Sequence, residues 1–187
     1  KIHFINVGQG DSIFIETPER NGILIDTGPE FEGYAAAKDK VVPYIRRCGY
    51  RSIDGLIITH FHSDHCGGYK YIKNELNTDS LYTFSNSKDK NFNEIKYGDI
   101  LKINDIQIKA LAPENSIISN NSENEICLVL EVSYKNFNML LTSDAEKNVL
   151  DGITGEFDIY KVSHHGSYAS FSESAIDNSK IGTAVIS

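Results

Sequence analysis

The sequence predicts a single mixed α/β domain with its chemistry at the ends of its strands. Short apolar and β-branched runs recur along the whole chain, with only a few helical stretches between them. Four of these runs stop at an ionisable residue: Asp26, His60, Asp144 and His164. Layered folds collect functional side chains at strand ends, where loops vary without disturbing the core. The length of 187 residues, with 40% hydrophobic and 24% charged residues, suits one domain with a substantial core. No repeat, low-complexity tract or linker divides it.

Lys1–Val7 and Ser12–Thr17 flank the tight Gly8-Gln9-Gly10 turn and read as the two strands of a hairpin. Asn21-Gly22 is a strong hairpin-turn signal. It leads into Ile23-Leu24-Ile25, which stops at Asp26-Thr27-Gly28. Ala35–Cys48 reads as a helix that starts late or kinks at Pro43, with Gly49 as its C-terminal cap. Ile53–Thr59 contains the continuous apolar run Leu56-Ile57-Ile58, the mark of a strand buried on both faces, and feeds straight into His60. Gly67-Gly68 lets the backbone turn tightly before a short helix over Tyr69–Leu76. Leu81–Phe84, Ile100–Ile103 and Ile106–Leu111 read as short strands, and the Asn- and Ser-rich Asn115–Asn124 as a loop. Cys127–Tyr134 and Phe137–Thr142 form a second hairpin around Lys135-Asn136. Ile159–Ser163 reads as a strand ending at His164, and Ala184–Ser187 as a strand cut off by the end of the chain.

The formal net charge is −8. An acidic surface repels polyanions at long range and counts against a broad nucleic-acid-binding face, and no basic stripe with interleaved aromatics is present. Bound cations would reverse that field locally, so a phosphate substrate remains open. No apolar run approaches the ~20 residues that span a bilayer. The chain opens on a strand-like segment rather than a signal peptide. Its start at Lys1 rather than Met reads as a trimmed chain, from which a leader or anchor can have been removed. Cys48, Cys66 and Cys127 fit neither a zinc ribbon nor a CxxC redox pair. They are expected as buried free thiols, with one disulfide and a leftover Cys as the alternative.

Thr59-His60-Phe61-His62-Ser63-Asp64-His65 is the strongest chemical signal, because three of the six histidines fall within six positions. Imidazole and carboxylate are the ligands that zinc and similar divalent metals prefer. A short loop leaving a buried strand can aim His60 and His62 to one side and Asp64 and His65 to the other. A solvated histidine-rich loop is the bland alternative, and the downstream motifs weigh against it. Leu140-Leu141-Thr142-Ser143-Asp144 is an apolar run ending in a carboxylate whose two oxygens could be shared between cations. Alone, Asp144 would read as a helix N-cap before Ala145-Glu146-Lys147; beside the histidine cluster the metal reading is preferred. Val162-Ser163-His164-His165-Gly166-Ser167 again ends a strand with imidazoles. Asp26 is expected to hydrogen-bond a histidine ligand or its loop, against an Asx-type turn. Asp11 stays open between turn chemistry and the site. His3, inside the first strand, reads as structural.

Phe4-Ile5-Asn6-Val7-Gly8-Gln9-Gly10-Asp11-Ser12 opens the chain. With Ile25-Asp26-Thr27-Gly28, the histidine motif, Leu141-Thr142-Ser143-Asp144-Ala145-Glu146 and His164-His165-Gly166-Ser167, it resembles the metallo-β-lactamase superfamily. Within it, the set is similar to the hydrolase domain of ComEC-type competence DNA-uptake proteins. The resemblance covers nearly the whole chain. It implies a four-layer αββα sandwich: two mixed β-sheets face to face, helices outside and metals at one edge. It also implies one hydrolase domain over residues 1–187, truncated at its C-terminal end because the family continues past the last strand. The implied cofactors are two divalent metal ions, zinc or manganese. His60 and His62 match ligands of the first ion, Asp64, His65 and His164 those of the second, and Asp144 the bridging carboxylate, with His165 near the leaving group. Most members carry a further histidine between the Asp64 region and Asp144. None lies between His65 and His164 here, and Asn124 looks like the match to an asparagine-containing segment of the competence-like subgroup. An amide oxygen is a weaker ligand than imidazole, which would loosen the first ion or favour manganese.

The activity implied is hydrolysis by a metal-bound hydroxide, oriented and deprotonated by Asp64. A phosphodiester substrate, such as single-stranded DNA cut by a nuclease, is favoured. Hydrolysis of a lactam, lactone or thioester is the second enzymatic reading, and a non-catalytic metal-binding module is the reading of a different class. A membrane channel domain in a longer chain, and an extracytoplasmic, membrane-associated or secreted location, follow from the same resemblance.

Overall fold

The computed structural model describes residues 1–84, 89–114 and 126–187. The chain divides into two compact units, Lys1–Glu94 with Ser187, and Ile95–Ile186. The first unit contains β1 (Ile2–Phe4), β2 (Ile13–Glu16), β3 (Gly22–Ile25), β4 (Glu30–Phe31), β5 (Tyr34–Ala35), β6 (Gly55–Ile58), β7 (Ser80–Phe84) and, at its boundary, β8 (Phe92–Ile95). Its sheet runs β1-β2-β3-β6-β7-β8, and β4 with β5 makes a separate two-stranded ribbon. β1, β2 and β3 are antiparallel, with Phe14 opposite both His3 and Leu24. β3, β6 and β7 are parallel, with Leu56 opposite Leu24 and Leu81. All four residues of β6 are buried, as the continuous apolar run predicts for a strand covered on both faces.

Phe14, Leu24, Leu56 and Ile58 join Ile45, Ile72 and Leu76 in one apolar cluster. Each such side chain stabilises the fold by about 1.5–3 kcal/mol on burial. Ile45 comes from α1 (Val42–Arg47), and Ile72 from α3 (Tyr69–Glu75), which follows the one-turn α2 (Ser63–Cys66). The segment expected as a helix, Ala35–Cys48, is helical from Ala36 and does not start late; it is irregular before Pro43 instead. A π-helical turn over Ala37–Val41 precedes α1, and Pro43 sits in the first turn of α1, where its missing amide hydrogen costs least.

The second unit contains β9 (Ile100–Ile103), β10 (Ile106–Ala112), β11 (Val129–Tyr134), β12 (Phe137–Leu141), β13 (Glu156–Lys161) and β14 (Lys180–Val185), with α4 (Lys147–Leu150) and α5 (Glu173–Asp177). Its sheet runs β14-β13-β12-β11-β10-β9. β9 to β12 are antiparallel, and β12, β13 and β14 are parallel. β10 buries Ile106, Ile108, Ala110 and Ala112 and exposes Gln107 and Lys109, the period-two pattern of a strand with one wet face. Val129, Leu140, Phe157 and Tyr160 anchor this unit's own core.

Several boundaries differ from the sequence reading. The first strand is confined to β1. The left-handed residue of the β2–β3 turn is Arg20 (φ 64°) rather than Asn21. Asn21 and Gly22 instead bind the Asp54 carboxylate, Gly22 through its amide at 2.7 Å. β13 begins at Glu156, because exposed Glu156 and Asp158 alternate with buried Phe157. β14 occupies Lys180–Val185 rather than 184–187, its first half masked in sequence by Lys180 and Gly182, residue types depleted in strands. β4, β5, β8 and α5 were not expected. The expected loop over 115–124 lies outside the described residues. All three cysteines are free thiols, Cys127 buried and Cys48 and Cys66 half-buried. No described helix is long and apolar enough to cross a membrane.

Candidate metal centre

In the first unit, parallel strands β3 and β6 end side by side. β3 runs into Asp26, and β6 runs through Thr59 into His60. Asp26 is buried and left-handed (φ 58°), a conformation that Asp tolerates better than most residues. Its amide donates to the Ile57 carbonyl at 2.9 Å. Its Oδ1 accepts the Thr59 amide at 2.8 Å, and its Oδ2 lies 2.8 Å from both the Thr59 hydroxyl and His65 Nδ1. Burial pushes the Asp26 carboxyl above the usual carboxylate range, against the opposing pull of His65 and the Thr59 amide. Asp26 thus hydrogen-bonds a motif histidine and the end of the motif's strand.

The motif leaves β6 extended and then closes into α2, with the amides of His65 and Cys66 both donating to the His62 carbonyl at 3.0 Å. Asp64 and His65 thus sit on a helical turn, not on a fully extended loop. His60 Nε2 lies 3.1 Å from His62 Nδ1, and the His60 and His65 rings are 4.2 Å apart. His60 and His65 are buried, whereas His62 and Asp64 are half-buried.

Neighbouring loops hold this turn in place. The Thr27 amide donates to the His65 carbonyl at 2.7 Å, and the Gly68 amide donates to the Thr27 hydroxyl at 3.1 Å. Gly10, at φ 132°, packs against the motif so closely that a Cβ there would lie 2.3 Å from the Asp64 carbonyl oxygen. The next amide, of Asp11, donates to that same oxygen at 3.3 Å. Asp11 is buried, accepts from the Ser187 hydroxyl and places a carboxylate oxygen within 4.8 Å of donor atoms of Asp26 and His65. Gly67 and Gly68 have ordinary negative φ, so a tight turn is not what requires them. Close packing does: a Cβ on Gly67 would meet the Glu30 amide nitrogen at 2.4 Å, and one on Gly68 would meet the Ala37 Cβ at 2.1 Å.

In the second unit, parallel strands β12 and β13 also end side by side. β12 leads into Asp144 through Ser143, itself left-handed at φ 47°. His164 and His165 follow β13, left-handed at φ 47° and 53°. The two ends are joined by the His164 amide on the Ser143 carbonyl at 2.9 Å and by the Ser163 hydroxyl on the Ala145 carbonyl at 2.5 Å. Asp144 is buried; its Oδ2 lies 3.8 Å from His164 Nε2 and its Oδ1 lies 3.7 Å from His165 Nε2. Each carboxylate oxygen thus faces one imidazole. The alternative reading of Asp144 as a helix N-cap does not hold, since α4 begins at Lys147 with Glu146 in the cap position. Asn124 lies outside the described residues.

The donor sets fit a divalent cation. With Nδ1–H of His65 given to Asp26, the ligating lone pair of the neutral ring falls on Nε2, the usual arrangement around a metal-bound histidine. The 3.1 Å between His60 Nε2 and His62 Nδ1 is close to the edge of about 3.3 Å for a tetrahedron with zinc–nitrogen bonds of ~2.0–2.1 Å. Thr27 and Thr59 escaped the sequence reading, although each adjoins a residue it singled out. So did Lys161, fully buried beneath the strand end with its ammonium donating to the Val162 carbonyl at 3.0 Å.

Residues 5–82 match a family model described as the metallo-beta-lactamase superfamily. The whole chain aligns with ComE operon protein 3 of Bacillus subtilis (strain 168) at 29% identity, covering 28% of that protein. It aligns over its whole length with Recombination protein 2 of Haemophilus influenzae at 30% identity, covering 24% of that protein. The chain therefore spans about a quarter of the length of these relatives. Among solved structures, the metallo-beta-lactamase fold protein YhfI from Bacillus subtilis superposes with a TM-score of 0.58 at 12% identity, over 92% of this chain and 69% of that one. The fold is that of the metallo-β-lactamases.

Proposed function

We propose that this chain, a metallo-β-lactamase-fold relative of ComE operon protein 3, is a divalent-metal-dependent phosphodiesterase that cuts single-stranded DNA. The observation that carries the reading is the cluster of His60, His62, Asp64 and His65 at the end of β6, with His65 fixed by the buried Asp26 carboxylate at 2.8 Å. The DNA substrate is supported by the likeness of the motifs to those of competence DNA-uptake proteins and by a relative named for recombination. An acidic chain of net charge −8 takes up a phosphodiester only where cations reverse the local field.

When bound, zinc or manganese would supply Lewis acidity and lower the pKa of a water toward ~7. In this reading His60, His62 and His65, with Asp64, Asp144 and His164, are the ligands, two ions being held in all. Asp26 keeps the His65 ring in its ligating tautomer, and Asp11 backs the same turn. Asp64 orients the attacking water and accepts its proton, and His165 stands near the leaving oxygen. The domain would serve as part of a longer, membrane-associated protein outside the cytoplasm.

The test is cleavage of labelled single-stranded DNA by protein stripped with chelator and reloaded with manganese or zinc, beside an Asp144→Asn control. The expected result is cleavage with metal, absent from the control. Hydrolysis of a lactam or thioester without cleavage of DNA under either metal would overturn the phosphodiesterase assignment.

A further inference from the structure

His3, the one histidine outside the motifs, belongs to a second cluster of metal-ligand side chains. His3 on β1 lies opposite Phe14 on β2, so Glu16, two residues further on, is its diagonal neighbour on the same face of the sheet. Cys48 caps the C-terminus of α1. One donor atom from each of His3, Glu16 and Cys48 lies within 4.8 Å of the other two, and all three residues are half-buried. None of the three takes part in the hydrolytic site described above.

We propose that His3, Glu16 and Cys48 form a separate zinc-binding site, which ties the end of α1 to the β1–β2 hairpin. The set combines imidazole, carboxylate and thiolate, the three protein ligands zinc takes, and partial exposure leaves room for water in the fourth position. The supporting contacts are also in place. His3 Nδ1 lies 2.9 Å from the Tyr44 hydroxyl, so the ring can give its Nδ1–H to Tyr44 and turn its Nε2 lone pair toward Glu16 and the ion. That Nε2 is now 2.6 Å from Glu16 Oε1, the contact a cation would come to bridge. The Tyr50 hydroxyl donates to the other carboxylate oxygen, Oε2, at 3.3 Å. The His3 ring is stacked on Phe14 at 5.8 Å, which restricts its rotation.

Without metal, burial and the nearby Glu16 carboxylate push the Cys48 thiol up. A bound cation reverses that local logic and holds the thiolate. The Lys1 ammonium, 3.9 Å from Glu16, is 79% exposed and free to move toward solvent as the ion arrives.

The test compares wild type with Cys48→Ser after equilibrium dialysis against zinc and, separately, against cobalt. Wild type is expected to hold one zinc more per chain than Cys48→Ser. Cobalt-loaded wild type should show a thiolate-to-cobalt charge-transfer absorption that is lost in Cys48→Ser and kept in Cys66→Ser. Tyr44→Phe, which keeps every ligand, should weaken this site about tenfold, and Glu16→Gln gives a second ligand variant should Cys48→Ser fold poorly. Equal zinc content and equal cobalt spectra in wild type and both ligand variants would overturn the proposal, as would an absorption that follows Cys66. DNA cleavage is not read in any arm, so the outcome stands apart from that of the phosphodiesterase test.

Discussion

With one oxygen on the Thr59 amide and the other shared between the Thr59 hydroxyl and His65 Nδ1, Asp26 fixes a strand end and an imidazole at once. A hydrogen-bonded carboxylate of this kind sets the tautomer and basicity of a metal-bound ring, and its removal lowers metal affinity by about 10–100-fold. Asp26→Asn should show a loss of that size in a calorimetric zinc titration; unchanged affinity would detach Asp26 from the metal. Gly68 has a different duty. Because its Cβ would overlap the Ala37 Cβ at 2.1 Å, Gly68→Ala forces α3 and the turn before it away from the segment that leads into α1. Overpacking of this kind costs about 1–3 kcal/mol, to be read as a lower midpoint of urea unfolding with an unchanged slope.

At the scale of elements, each unit sets two parallel strands side by side so that their C-terminal ends present a carboxylate next to imidazole: β3 and β6 in one, β12 and β13 in the other. The sequence exposed these ends because an apolar run that stops abruptly at Asp or His is legible without knowing what pairs with it. It also exposed β6 as a strand buried on both faces. Thr27 and Thr59 stayed hidden, since a threonine beside a strand end has the same composition whether it hydrogen-bonds a carboxylate or faces water. Gly67-Gly68 was visible, but its reason was not: close approach to Glu30 and Ala37 is a tertiary fact. β13 is legible in the sequence only from Ile159, because its exposed Glu156 and Asp158 break the apolar run.

One tie between elements is pH-sensitive. Lys147, Ser172 and Ser174 all donate to Asp151 at the end of α4, and Ser172 also caps α5 by accepting the Ala175 amide at 3.0 Å. These hydrogen bonds hold the Asp151 carboxyl down at about 2. The folded value lies below an unfolded one of ~3.9, so this stabilisation is complete above ~3.9 and is lost as pH falls through the folded value. Asp151→Asn should flatten the acid limb of the stability curve in that window, and a carboxyl titration of Asp151 by NMR should show the low value directly. The side chain is exposed, so added salt should weaken the effect.

For the whole molecule, charge and metal act in opposite senses. A chain of net charge −8 repels a nucleic-acid backbone, so under the proposed function productive binding of a phosphodiester would depend on cations held by the histidine motif. Binding of metal to the folded state alone also raises stability in proportion to the logarithm of its concentration. Zinc or manganese should therefore raise the melting temperature of the wild type more than that of His60→Ala/His62→Ala. The most direct test of the central claim is hydrolysis of the small diester bis(p-nitrophenyl) phosphate, followed as chelator-stripped protein is titrated with zinc or manganese. The account predicts that hydrolysis appears in step with bound metal and is absent from a folded His60→Ala/His62→Ala variant. Hydrolysis that persists in chelator, or in that variant, would contradict it.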